Sequence, residues 1–351
     1  MKKLPIPALL LLLLSTSACM RSVSLTVLQP AQITLPEHIS SVAVVDRSKP
    51  ASGWLNVLEG MATGEGIGQD RTSRQEAVRG LTEALLRTPR FQVKSTGIEL
   101  TGSKAGNNLP YPLEWSQVEQ LCADYGTNAI VTIESFDSDN FTGTKKQETK
   151  RKDKNGKEYT EVSYNAEQRT GVRLGWRLYD PKTKIVVDEY TTNDFLIRSA
   201  SGASEAVAVK GLPNPVDISR IVARTGGFNY GTRIAPVFVQ ESRSYFASGK
   251  GAKDDMKKAA RLANSGNWNE AATIWERIVN NNSLPEKTSG KAAYNLAVAA
   301  EVAKDLPLAL ERAEKAWTNF RNSSAKSYIE ILKVRLNNDR KVKGQMNQQK
   351  V

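Results

Sequence analysis

The change of hydrophobic period at Gly249-Lys250-Gly251 constrains this chain more than any other feature. Upstream, apolar residues come in short runs or alternate with polar ones. Val172, Leu174, Trp176 and Leu178 form the clearest such series, and a period of two belongs to strands. Downstream, the chain is rich in alanine and its apolar positions recur at intervals of three and four, the period of helices. One layer architecture cannot serve both halves. The expected fold class is therefore α+β, with an N-terminal α/β sheet domain over 37–250 followed by an all-α domain over 251–337.

Within the first half, Ser41-Val42-Ala43-Val44-Val45-Asp46 reads as a buried strand. Ser73-Arg74-Gln75-Glu76 fits a capping box, so a helix is expected to begin at Ser73, carry Ala77, Leu81, Ala84 and Leu85 on one face, and stop at Pro89. Phe91-Gln92-Val93 is the next strand. Val118, Leu121, Cys122 and Tyr125 form a second helical stripe ended by Gly126, and Ala129 to Phe136 is a β-branched strand. Further on, Asn155-Gly156 predicts a two-residue hairpin turn inside a basic stretch, residues 145–158, with seven basic and three acidic residues. Asp180-Pro181-Lys182-Thr183 returns the chain to Ile185-Val186-Val187. Short helices are expected near Ser204 to Val209, from Asp217 to Arg224 and from Gly226 to Ala235, with a last strand near Val237 to Glu241.

The amino terminus carries an address. Lys2 and Lys3 precede a short apolar run, Ile6 to Leu14, and Ser15-Thr16-Ser17-Ala18 lead into Cys19. This is the layout of an export signal, too short to persist as a membrane-spanning helix. Small residues before a cysteine resemble the lipobox of bacterial lipoproteins, although Thr16 stands where that motif most often has Leu. The resemblance implies cleavage of 1–18, acylation of Cys19 and membrane attachment through that lipid. Residues 19–36 read as a tether with an edge strand near Ser24 to Leu28, and 338–351 as a disordered tail.

Composition narrows the functional classes. The formal charge of +12 suits an anionic neighbour, and export excludes nucleic acid in favour of envelope surfaces. The chain has only two cysteines, so with Cys19 acylated Cys122 has no partner and packs as a small hydrophobe. His38 is the only histidine, which excludes a multi-His metal site within one chain, and no His-based triad is expected. The loop Gly64-Glu65-Gly66-Ile67-Gly68 precedes the capped helix but lacks a phosphate-binding spacing. Glu65 and Asp70 are paired-acid candidates that read more simply as a solvated helix entry beside Arg71. No catalytic, cofactor-binding or metal-binding residue is assigned, and an enzyme is not expected.

The helical half contains a repeat that resembles tetratricopeptide motifs. Leu262, Gly266, Trp268, Ala271, Trp275 and Ile278 form one copy. Leu296, Ala297, Ala300, Leu306, Ala309, Ala313 and Ala316 form another, with Lys304-Asp305 where the turn glycine should be. Ala271 and Ala309 are 38 residues apart, longer than the usual period of about 34 residues. The lipobox, the strand Ile39 to Asp46, Thr63-Gly64-Glu65-Gly66, Arg87-Thr88-Pro89-Arg90-Phe91 and Gly231 to Pro236 together resemble an uncharacterised family of Bacteroidetes-type envelope lipoproteins. The sheet domain is more distantly similar to the curli-secretion lipoprotein domain and the N-terminal domain of TolB. These resemblances imply a periplasm-facing outer-membrane lipoprotein that binds an envelope protein partner as a non-enzymatic scaffold. The alternatives are an oligomeric subunit of a secretion or assembly complex, and an enzyme acting on envelope polymer.

Overall fold

A computed structural model of the chain describes residues 20–49, 69–102 and 109–347. The fold is α+β: strands reach residue 246 and, among the described residues, every element from Lys253 onward is a helix. Two compact units emerge. Among the described residues, one holds those between Ala31 and Val237 together with 345–347, and the other joins 20–30 to Phe238–Gly344.

Strand β1 (Met20–Gln29) occupies the expected tether. The sheet unit then runs β2 (Ser41–Lys49), α1 (Gln69–Leu86), β3 (Gln92–Thr101), α2 (Trp115–Tyr125), β4 (Ala129–Lys152), β5 (Glu158–Asp180), β6 (Ile185–Gly202), α3 (Glu205–Lys210) and α4 (Pro215–Ile234). Its five strands lie in the order β3-β2-β4-β5-β6. β2 is parallel to β3 and β4, whereas β4, β5 and β6 are successively antiparallel. Alternation decides what covers each face. Val42, Val44, Val131, Ile133, Leu174, Trp176 and Leu178 belong to the core shared with α1 and α4. Val45, Ile130 and Tyr179 belong to the core shared with α2.

Several local readings are corrected. Ser73 lies inside α1, which already begins at Gln69; its hydroxyl is buried with no hydrogen-bond partner and caps nothing. Asn155-Gly156 sits in a five-residue loop, because the last strand pair is Lys152 opposite Glu158. Asp153 closes that loop, its carboxylate accepting the backbone N–H of Asn155 and of Lys157 at 2.9 Å each. Gly226-Gly227 does not divide two short helices; α4 runs through it for 20 residues.

The reason is close helix contact. A Cβ on Gly227 would stand 1.9 Å from the Ala77 carbonyl oxygen, and one on Gly80 would stand 1.9 Å from the Arg224 carbonyl oxygen. A Cβ on Gly231 would meet the Ala84 Cβ at 2.5 Å. Helices α1 and α4 therefore touch backbone to backbone, and these glycines serve packing.

In the other unit, β7 (Val237–Phe246) pairs with β1 in a separate two-stranded sheet. Five helices follow: α5 (Lys253–Asn264), α6 (Trp268–Val279), α7 (Glu286–Val302), α8 (Leu306–Thr318) and α9 (Ser323–Asn347). Helix α9 extends across most of the stretch read as a disordered tail. Buried alanines at 260, 271, 293, 297, 309 and 313 allow the helices to approach closely. Tyr245, Trp268 and Trp275 fill the space beside them, with ring centroids 5.3–6.3 Å apart. Gly266 turns α5 into α6 at φ 88°, and Lys304 takes the same left-handed conformation, φ 65°, between α7 and α8.

Two outcomes follow from these backbone constraints. Gly227→Ala overpacks the α1–α4 contact and should destabilise the chain by about 1–3 kcal/mol or more, read as a lower denaturation midpoint. Lys304→Gly relieves a left-handed lysine and should stabilise by about 0.5–1 kcal/mol, read by the same denaturation series.

Candidate functional site

A groove of about 490 Å³ lies in the sheet unit between α1 and β3, an edge strand of the described sheet. Helix α1 carries two stripes. Ala77, Gly80 and Ala84 face α4, while Val78, Thr82 and Leu86 line the groove with Val44 and Ile98. Gly97, at φ 67°, also lies in the lining, at a register irregularity between β2 and β3.

The ionisable groups at this groove answer one another. Arg224 Nη2 donates to Glu83 at 2.9 Å, and Arg87 also pairs with Glu83. The hydrogen bond from Arg224 is the main cause that holds the Glu83 carboxyl below its usual range. Arg79 reaches Glu76 at 2.9 Å. Asp46 is buried and accepts from the Ser48 N–H at 2.8 Å and its hydroxyl at 2.6 Å, with the Arg74 Nε 3.9 Å away. The apolar floor thus lies within a rim whose charges are mutually compensated. Such a recess favours an apolar side chain over a free ion or a highly charged metabolite.

A second polar centre lies in the sheet itself. Glu134 is fully buried; it accepts from the Thr132 and Tyr179 hydroxyls at 2.6 Å each and from Arg47 at 2.7 Å, with Arg177 at 3.6 Å. Burial first, and then the Glu134 charge, push the Tyr179 phenol up to about 12, so it remains a donor. With both carboxylate oxygens hydrogen-bonded, Glu134 holds β2, β4 and β5 together. Its one sequence signal is a lone acid in an apolar strand. The groove left less trace, because Arg224 reaches it from a segment 141 residues beyond Glu83.

The residues singled out by sequence do not converge. Cys19, Glu65 and the Gly64–Gly68 loop lie outside the described residues. Asp70 belongs to the first turn of α1. Cys122 is a buried free thiol that burial pushes up, so it is not poised as a nucleophile. His38 Nε2 lies 2.9 Å from Asp180 Oδ2, beside the β5–β6 turn. Among the described residues no group of three or more His, Cys, Asp or Glu could hold a metal, and no helix is long and apolar enough to cross a membrane.

Asp180 links this geometry to pH. Burial pushes its carboxyl up, but hydrogen bonds from Thr183 at 2.7 Å, His38 at 2.9 Å and the Lys182 N–H at 3.1 Å outweigh that and hold it low. A folded-state value below the unfolded one gives stability that is complete above about pH 4 and lost as pH falls through the depressed value. Asp180→Asn should therefore lower the denaturation midpoint at pH 7 and shrink the difference between pH 7 and strongly acidic buffer. An unchanged acid dependence would exclude this role.

No curated protein matches the chain. Among solved structures, a neuraminyllactose-binding hemagglutinin homolog from Helicobacter pylori is 7% identical. It covers 57% of this chain and 82% of its own, with a TM-score of 0.25. The PelC dodecamer from Paraburkholderia phytofirmans is 8% identical and covers 59% and 97%, with a TM-score of 0.21. Likenesses this distant carry no functional argument. A domain of unknown function, DUF6340, matches residues 257–334 within the helical unit. The larger match, over residues 39–246, takes in the whole five-stranded sheet and its helices, and by it the chain belongs to the family described as Domain of unknown function (DUF8603).

Proposed function

We propose that this protein is a lipid-anchored envelope protein that works by binding another protein, without catalysing a reaction. The observation that carries the reading is the apolar-floored groove between α1 and the sheet edge, with its charged rim self-compensated. A ligand selected by such a recess presents an apolar side chain on a polar backbone, as a peptide segment does. Among the described residues the outer flank of β3 is unpaired and offers backbone donors and acceptors next to the same recess.

Cys19 supplies the address. Acylation there would attach the chain through its amino terminus, directly ahead of β1, and more than one acyl chain makes such attachment durable. The helical unit supports a binding role in its own way: its hairpins resemble tetratricopeptide repeats, a scaffold on which helix faces are used for recognition. The outer membrane, facing the periplasm, is the proposed location.

The test uses the full-length protein purified from envelopes in mild detergent, with Val78→Glu as the comparison. Val78 is half-buried in the groove wall, so the substitution places a charge at its floor. The expected result is a specific envelope protein recovered with the unsubstituted chain and lost with the variant, while thermal denaturation shows the variant still folded. Intact mass of the same preparation should show Cys19 as the first residue, carrying fatty acyl groups. Equal recovery with both proteins would remove the groove from the account, and an unmodified Cys19 would remove the anchor.

A further inference from the structure

The outer part of the β4–β5 hairpin has no role in the groove or in either core. Pairing of β5 with β6 stops at Tyr164 opposite Gly202, while β4 and β5 continue together to Lys152 opposite Glu158. Every residue from Thr144 to Val162 is exposed. The result is a two-stranded arm whose six last rungs, from Gln147 opposite Ser163, reach about 20 Å at the usual rise per strand residue.

Charge on this arm is unevenly spent. Glu148 pairs with Lys146 at 2.6 Å, Glu158 with Lys152 at 3.3 Å, and Glu161 with Arg151. Asp153 gives its carboxylate to the loop backbone. All four acids between residues 145 and 161 are thus engaged within the arm. Lys145, Lys150, Lys154 and Lys157 have no acidic partner among the described residues, and three of these four lie in the last rungs or the loop. Tyr159, 48% exposed, stands beside them.

We propose that the tip of this arm docks onto an anionic phospholipid surface. The cations project from both faces of the ribbon and around its turn. A folded acidic protein would engage one face; a fluid headgroup layer surrounds a tip and reaches every ammonium group within a Debye length of its surface. Tyrosine suits the same boundary, with an apolar ring and a wet hydroxyl. The strands carry no alternating apolar series there, so the arm rests among headgroups and does not cross the bilayer. This contact is independent of both the groove and the acylation of Cys19.

The test takes the full chain with Cys19→Ser, so that no acyl chain contributes, and measures co-sedimentation with vesicles. One set contains roughly one-third phosphatidylglycerol and the other phosphatidylcholine only. Binding is expected to the anionic vesicles alone and to weaken as salt rises. Replacing Lys150, Lys154 and Lys157 by Glu should lower the affinity by about 100-fold or more. A control with Lys253, Lys257 and Lys258 replaced by Glu has the same net charge and should bind like the unsubstituted chain. The proposal is overturned if the unsubstituted chain ignores anionic vesicles, which would turn attention to an acidic protein, or if the control loses as much affinity as the arm variant.

Discussion

The sheet unit depends on how closely α1 and α4 approach. Gly80 and Gly227 let each helix backbone rest on the other, at distances that no Cβ could occupy. Ala77 and Ala84 complete the seam, and Trp176 stacks on Tyr230 beneath it with centroids 4.9 Å apart. Because one stripe of α1 is committed to α4, its other stripe lies open beside β3, and that is where the groove forms. The binding reading therefore rests on a steric fact about four small residues. A wider helix pair would move α1 and reshape the recess.

The helical unit solves a different problem, that of holding a strand against helices. Glu301 on α7 is buried and accepts from Arg243 of β7 at 2.8 and 3.1 Å, from Arg335 of α9 at 2.8 Å and from the Tyr328 hydroxyl at 2.5 Å. Glu241 supplies the second acid, so two arginines meet two carboxylates. Burial and the neighbouring Glu301 push the Tyr328 phenol well above its ordinary range, keeping it a donor. A buried set of this kind costs desolvation and returns a unique arrangement, since any slip of β7 or α9 would leave a charge unpaired.

What the sequence made legible follows from the range of the interaction. Period-two alternation placed β5, short β-branched runs placed β4 and β6, and period-3.6 stripes placed α2 and the C-terminal helices, because each signal is local. Gly126 ended α2 as expected, in the left-handed conformation at φ 60°. Gly226 and Gly227 misled because a glycine pair reads as a break when the partner helix, about 150 residues earlier, is not in view. Val237 to Phe246 joined β1 and not the main sheet for the same reason: strand partners are chosen in three dimensions. Of the candidate site, Val44 was visible as an apolar strand position, but nothing local linked Glu83 to Arg224. Cys19, the one residue assigned a role by sequence, precedes the first described strand.

The central claim is that the recess between α1 and β3 receives a segment of another envelope protein. The most direct measurement places a photo-crosslinking amino acid at Ile98, in the groove wall, and irradiates intact cells. Mass spectrometry of the product should identify one envelope protein joined through a short stretch of its chain, and the same residue at exposed Ile331 should yield no such adduct. A crosslink pattern at Ile98 no different from that at Ile331 would contradict the account.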